Sequence, residues 1–296
     1  MGLRRVLGRL LQDPPPAFAF ELSEAGIAAA QDGNPPRLLF EALRPDVLSI
    51  SPVRDNVLLP DVLAERVRTL APARDPRKQR SAVLILPDNS VRLFVLDFES
   101  FPSGREDQMN LLRSRLRRSV PFDVEASVLS YHTQAAPGGS KKVLVTVAVA
   151  PLEIIARYEA PFRAAGFTPG LVTTSILAAL ELADSKPGVS IVAKLSGRTL
   201  SLAVVEGKVV RLLRCIEVED ESGSESAGHL YPTMAYVEDQ LAAHPERILA
   251  AGFGPDAELL RPVGEELKVP VVPLRSRFGA VEPFNAGLLG YLESVH

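Results

Sequence analysis

Few side chains in this sequence are spaced for catalysis. His132, His229, His244 and His296 are scattered, and none has a second His or Cys at ligand spacing, so no metal site is expected. Cys215 is the single cysteine, which excludes an internal disulfide and any multi-cysteine site, and its neighbours Leu212, Leu213 and Ile216 predict a buried strand. Asp97 and Glu99 share an alternating register in which two carboxylates could divide acid and base roles, but carboxylates beside a turn are ordinarily solvated and are read so here. Neither a Gly-x-Ser-x-Gly elbow nor a Gly-x-x-x-x-Gly-Lys-Ser/Thr loop occurs. Two features keep some chemical meaning. Gly252-Phe253-Gly254 follows a strand-like run and precedes a helix, a weak phosphate-turn signal. Arg113, Arg115, Arg117 and Arg118 form a basic ridge on a helix whose apolar positions are Met109, Leu112, Leu116 and Val120. That ridge lacks the interleaved aromatics of a nucleic-acid surface, so it is a solvated face or a contact for an acidic or lipid-proximal partner.

The elements that must position these residues occur twice. Residues 17–22, 26–31 and 37–43 are short apolar runs separated by Ser23-Glu24-Ala25 and by Asp32-Gly33-Asn34-Pro35-Pro36, which predicts a three-stranded meander. Residues 189–195, 199–206 and 208–218 repeat the unit, with turns at Ser196-Gly197-Arg198 and Glu206-Gly207-Lys208. Each meander precedes a helix (61–70; 230–243) and a further strand (81–86; 248–251). Between the units, residues 89–150 hold a strand (91–98), the arginine-bearing helix (105–120) and two β-rich runs (126–133, 142–150), enough for an inserted subdomain. Helices follow at 152–165, capped by Gly166, and at 173–182. The expected divisions are a leader (1–16), a first-lobe core (17–88), the insert (89–150), completion of the first lobe (151–187) and a second lobe (188–296). A mixed α/β architecture of two lobes is the expected product.

Composition fits this reading. With 46% hydrophobic and 23% charged residues and a net charge of −3, the chain is balanced for a large buried core and gives no sign of a nucleic-acid partner. No run approaches the roughly 18 apolar residues of a spanning helix. Residues 1–16, with Arg4, Arg5 and Arg9 among leucines and then three prolines, read as a short basic amphipathic leader, too interrupted for a signal-peptide core. The acidic run 219–227 reads as a loop.

A duplicated meander with an insertion in the first half resembles the actin-like ATPase (ribonuclease H-like) fold, and local stretches are similar to one family in it, the PilM-like type IV pilus assembly proteins. Val120-Pro121-Phe122-Asp123 resembles the family's Ile-Pro-Phe-Pro segment, which ends a helix and leads into a strand. Residues 145–150, then Gly166-Phe167-Thr168-Pro169-Gly170-Leu171-Val172, are similar to its strand, helix and Ala-Gly-Leu-x-Pro turn. Residues 248–254 and Asn285-Ala286-Gly287-Leu288-Leu289-Gly290 complete the order.

The resemblance implies a cytoplasmic scaffold at the inner face of the cytoplasmic membrane. A groove between the first-lobe core and the insert would hold the cytoplasmic tail of a bitopic PilN-like partner, with other pilus assembly components nearby. The alternatives are an ATP-binding member whose lobes close on nucleotide, or a GspL-like type II secretion component, a kind of chain that continues into a transmembrane helix where this one ends at His296. Family members that bind ATP with magnesium carry Asp-x-Gly in each first turn; the matching positions are Glu21-Leu22-Ser23 and Lys194-Leu195-Ser196. Ser23 and Ser196 add side chains where backbone approaches phosphate, and Lys194 sets positive charge where a magnesium-side carboxylate belongs. Gly252 and Gly254 survive from the family's glycine turn, but Phe253 puts a bulky ring in it. The expectation is a pseudo-ATPase without a cofactor, with Glu21, Ser23, Lys194, Ser196, Gly252 and Gly254 as the nucleotide-binding residues if any binding is retained.

Overall fold

A computed structural model describes residues 16–72, 78–219, 226 and 228–296. Apart from Pro16, the expected leader lies outside the described residues, as does most of the acidic run 219–227.

β1 (Phe18–Ser23) and β2 (Gly26–Gln31) are apolar almost throughout because both of their faces are covered. They form a hairpin in which Ser23 pairs with Gly26, and β3 (Arg37–Ala42) adds an outer antiparallel strand. After helix α1 (Pro60–Leu70), β4 (Arg80–Leu86) joins β1 in parallel. The insert follows: β5 (Arg92–Phe98), α2 (Arg105–Leu116), β6 (Ser127–Ala135) and β7 (Val143–Pro151), in a separate antiparallel sheet of order β5-β7-β6. Helix α3 (Leu152–Ala164) leads to β8 (Phe167–Thr174), which completes the first sheet in the order β3-β2-β1-β4-β8, and then to α4 (Ser175–Ala179).

The second lobe repeats the first strand for strand. β9 (Val189–Ser196), β10 (Thr199–Glu206), β11 (Val209–Glu217), β12 (Arg247–Ala251) and β13 (Val271–Pro273) lie in the order β11-β10-β9-β12-β13, with α5 (Leu230–Leu241) and α6 (Arg261–Leu267) among them. The meanders and the helices that follow them stand where the sequence pattern put them.

Three expectations are corrected. Residues 166–172 are not a turn and 173–182 not one helix: residues 167–174 form β8, because the outer edge of β4 needs a partner, and the helix starts only at Ser175. Pro169 is tolerated there because the register slips beside it, leaving Gly170 as the extra residue of a bulge. Helix α2 stops at Leu116 rather than at Val120, where Pro121 disfavours helical backbone in the residue before it. Finally, the last helix, α7 (Ala286–Val295), belongs to the stretch drawn as second lobe yet packs on the first sheet. Its Leu288, Leu289 and Leu292 cover the small residues Ala19, Ala28 and Ala30 together with Val83 and Ile85.

This return crossing is tight. A Cβ on Gly287 would lie 2.8 Å from Ser175 Cα, and one on Gly290 would lie 2.1 Å from the Ala178 carbonyl oxygen, so α7 meets α4 backbone to backbone. Gly290→Val is expected to lower stability by about 2 kcal/mol or more in urea denaturation. Gly170→Ala, whose new methyl meets nothing within 4 Å, serves as the control that stays near the parent.

Candidate functional site

The duplication sets the first turns of the two meanders facing one another, and the residues between them form a closed ionic cluster. Glu21 near the end of β1 and Lys194 near the end of β9 occupy matching places in the two lobes, each two residues before the serine that opens its turn. Lys194 is buried to 1% exposure, and its ammonium donates to Asp88 Oδ2 at 2.9 Å. Asp88 comes from the short 3-10 turn after β4 and is 2% exposed. Its Oδ2 also accepts from Ser201 Oγ of β10 at 2.6 Å, and its Oδ1 from the Ile176 amide of α4 at 2.6 Å. One carboxylate thus binds a helix of the first lobe and two strands of the second.

The turn that presents Asp88 is itself held: Ser90 Oγ lies 2.9 Å from Tyr158 OH, and both hydroxyls reach Asn56 Oδ1. Glu21 accepts from Ser175 Oγ and, at 2.7 Å, from the Leu288 amide near the start of α7. The two carboxylates therefore sit at helix N-termini, where orphan amides and the helix dipole favour negative charge.

Two carboxyl groups and one ammonium share this dry volume. Burial opposes the Lys194 charge, but Asp88 and Glu21 outweigh it and hold the ammonium above the usual lysine range. For Glu21 burial dominates and raises its pKa to about 7, against the opposing pull of Lys194, Ser175 and the Leu288 amide.

Of the sequence-derived residues, Glu21, Ser23, Lys194 and Ser196 are brought together around one cavity. That cavity leaves about 10 Å³ for the centre of a water-sized sphere, enough for about one water. Ser23 Oγ closes its own turn, donating to the Gly26 carbonyl and accepting from its amide, both at 3.2 Å. A magnesium triphosphate does not fit this arrangement. Lys194 is an internal cation where a hydrated metal would need room, and the carboxylates are spent on it and on helix amides.

Gly252 and Gly254 stand apart from that cavity. A Cβ on Gly252 would lie 1.9 Å from the Leu195 carbonyl oxygen, so this glycine lets β12 end against β9, and its φ of +83° suits the same turn. The Phe253 ring is fully buried in the second-lobe core. Asp88, Ser175 and Ser201 carry the cluster and were not singled out by sequence reasoning. Overlaying the two halves finds Asp88, since Pro87-Asp88 follows β4 as Gly252-Phe253 follows β12.

A second feature lies between the first-lobe core and the insert. The walls of an apolar groove of about 230 Å³ come from Ser130 and His132 of β6, Ala148 of β7, Val172 and Thr174 of β8, and Leu177 of α4. Burial holds the His132 imidazole below its usual range, so it is neutral at neutral pH. Thr174 Oγ1, buried in the wall, has no hydrogen-bond partner among the described residues.

The remaining sequence candidates are structural. Asp97 and Glu99 are exposed and both pair with Lys142 at 3.1 Å. Arg113 and Arg117 pair with Glu125. Cys215 lies in β11, half-buried, and burial pushes its thiol up to about 12. Among the described residues no His/Cys/Asp/Glu group could hold a metal ion, and no helix is long and apolar enough to cross a membrane.

No protein-family model matches the chain, and no curated protein matches it in sequence. Solved structures do match. One, described as a PilM-PilN type IV pilus biogenesis complex, aligns over 96% of this chain and 100% of its own at 19% identity, with a TM-score of 0.77. A Bacteroides thetaiotaomicron protein with an actin-like ATPase fold and unknown function aligns over 86% and 89% at 12% identity, with a TM-score of 0.53. The cytoplasmic domain of EpsL, an inner-membrane component of the Vibrio cholerae type II secretion system, aligns over 79% and 80% at 16% identity, with a TM-score of 0.48. The chain therefore has the actin-like ATPase fold.

Removing the lysine strands two buried carboxyl groups. Lys194→Met is expected to destabilise the protein by about 3–5 kcal/mol, and adding Asp88→Asn to recover a large part of that loss, as read by urea denaturation. The Glu21 shift sets a pH dependence. The folded protein holds the Glu21 proton more tightly than the unfolded chain, so this contribution to stability is fully present below about pH 4.5. It declines as pH rises and has been lost above about 7. The full span is about 3 kcal/mol, and Glu21→Gln is expected to flatten that part of the stability-pH curve.

Proposed function

We propose that this chain is a non-catalytic, PilM-like scaffold of type IV pilus biogenesis that works at the cytoplasmic face of the inner membrane. In this reading it binds the cytoplasmic tail of a PilN-like bitopic membrane protein. The observation that carries the proposal is the Lys194-Asp88 pair: an internal cation and its carboxylate fill the place between the lobes that a nucleotide with magnesium needs in ATP-binding members of the fold. With that place filled, the lobes have no ligand-driven reason to open and close, and the chain's use lies in what its surface holds. It is a pseudo-ATPase that needs no cofactor, and it reaches the membrane through its partner.

The apolar groove between first-lobe core and insert is the tail's seat. An extended segment with apolar side chains suits its neutral walls, and the unpaired Thr174 hydroxyl offers a polar anchor for the segment's main chain. The likeness to a structure described as a PilM-PilN complex supports this choice of partner.

Two measurements test the reading. Calorimetry with ATP and magnesium is expected to show no binding; binding with turnover abolished by Glu21→Gln would overturn the scaffold assignment in favour of nucleotide-driven lobe closure. A peptide copying the N-terminus of a PilN-like protein is expected to bind, and Ala148→Arg, which fills the groove from β7, to weaken it by about tenfold or more while leaving the thermal midpoint near the parent. Equal affinity for parent and variant would remove the tail from this groove.

A further inference from the structure

A second cleft, on another side of the insert from the groove, is built from residues that neither the tail seat nor the ionic cluster uses. It lies where the insert meets the second lobe and encloses about 710 Å³. The insert contributes Arg92 and Phe94 of β5 and Arg118 from the turn after α2; the second lobe contributes Leu213, Arg214 and Ile216 of β11. Three guanidinium groups face a space with no acidic residue in its lining. None of the three has an ion pair among the described residues, and the hydrogen bond found for them is Arg214 to Thr233 at 3.3 Å. This contrasts with Arg113 and Arg117 on the same helical ridge, which Glu125 neutralises.

β5 ends the insert's sheet and β11 ends the second-lobe sheet, and the two strands pack against one another at the cleft. Positive charge and interleaved apolar side chains together describe one kind of occupant.

We propose that this cleft docks an acidic, extended polypeptide segment of a partner protein, in which carboxylates alternate with apolar residues. The carboxylates pair with Arg92, Arg118 and Arg214, and the apolar residues pack on Phe94, Leu213 and Ile216. A membrane surface is the poorer occupant, because Arg92 and Arg214 are half-buried in a re-entrant cleft and cannot meet a plane of headgroups together. The proposal does not rest on the tail-binding reading, since the two sites share none of these residues.

The test uses the full chain and a short fluorescent peptide alternating glutamate and valine, followed by anisotropy at low salt. Saturable binding is expected, with no binding of the matching lysine-valine peptide, and a loss of about tenfold on adding moderate salt. Arg118→Glu, an exposed change that leaves packing alone, is expected to weaken binding by about tenfold, and Arg92→Gln with Arg214→Gln by more. Binding of the PilN-like peptide to the groove should be unchanged in all of these variants. The proposal is overturned by no binding at about 1 mM peptide, by equal affinity in Arg118→Glu and the parent, by full displacement with inorganic pyrophosphate, which would mark a small-anion site, or by arginine-dependent binding to phosphatidylglycerol vesicles in place of the peptide.

Discussion

The architecture turns on one ion pair, Lys194 with Asp88, buried where two lobes meet. Taking both charges out of water is expensive, and attraction between them offsets that only when every remaining lone pair and proton finds a partner. Here the partners are supplied: Ser201 and the Ile176 amide complete Asp88, while Ser175 and the Leu288 amide complete Glu21. The proton retained by Glu21 near neutrality keeps a second net negative charge out of the same dry volume. Elements from six places in the chain, β1, the turn after β4, α4, β9, β10 and α7, are pinned to one cluster.

Duplication makes such a cluster possible. The two sheets have the same order, so the residue two places before each first turn is brought to the same cleft from opposite sides. A glutamate stands on one side and a lysine on the other, and the lysine's charge is met by Asp88. The turn after the fourth strand has diverged in the same direction: in the first lobe it projects Asp88 into the cleft, and in the second it buries Phe253 in its own core. Gly252 is kept for a reason unrelated to phosphate, because backbone passes so near backbone there that a methyl group has no place.

Much of this was legible in the sequence. The meanders announced themselves by apolar runs of strand length and by Gly, Pro and Ser punctuation, which are local signals. Glu21, Ser23, Lys194 and Ser196 were singled out through the resemblance to the family's first-turn pattern, and the fold brings the four around one cavity. Asp88 was missed because Pro87-Asp88-Asn89-Ser90 reads as an ordinary turn; the lysine that gives it meaning lies 106 residues away. Strand β8 was missed because Pro169 and Gly170 are turn residues by local rules, and only the unfilled edge of β4 draws them into a sheet, through a bulge that costs the proline nothing. The seat of α7 was likewise invisible: its glycines matter for what they touch, Ser175 and Ala178, and not for their place in the chain.

The insert is the part of the molecule with two faces still to fill. Gln134 of β6 ties it to the second lobe through both atoms of its amide, accepting from the Val210 amide at 2.9 Å and donating to the Val210 carbonyl at 3.3 Å. Its other end runs through Ser90 and Tyr158 to the turn that carries Asp88. The apolar groove and the arginine cleft are therefore held against the same two lobes that the Lys194-Asp88 pair joins. A site preformed in this way loses little conformational entropy when an extended segment enters it, so modest contacts give useful affinity. In the scaffold reading proposed above, control lies with the segments that dock on it, through their charge and their number.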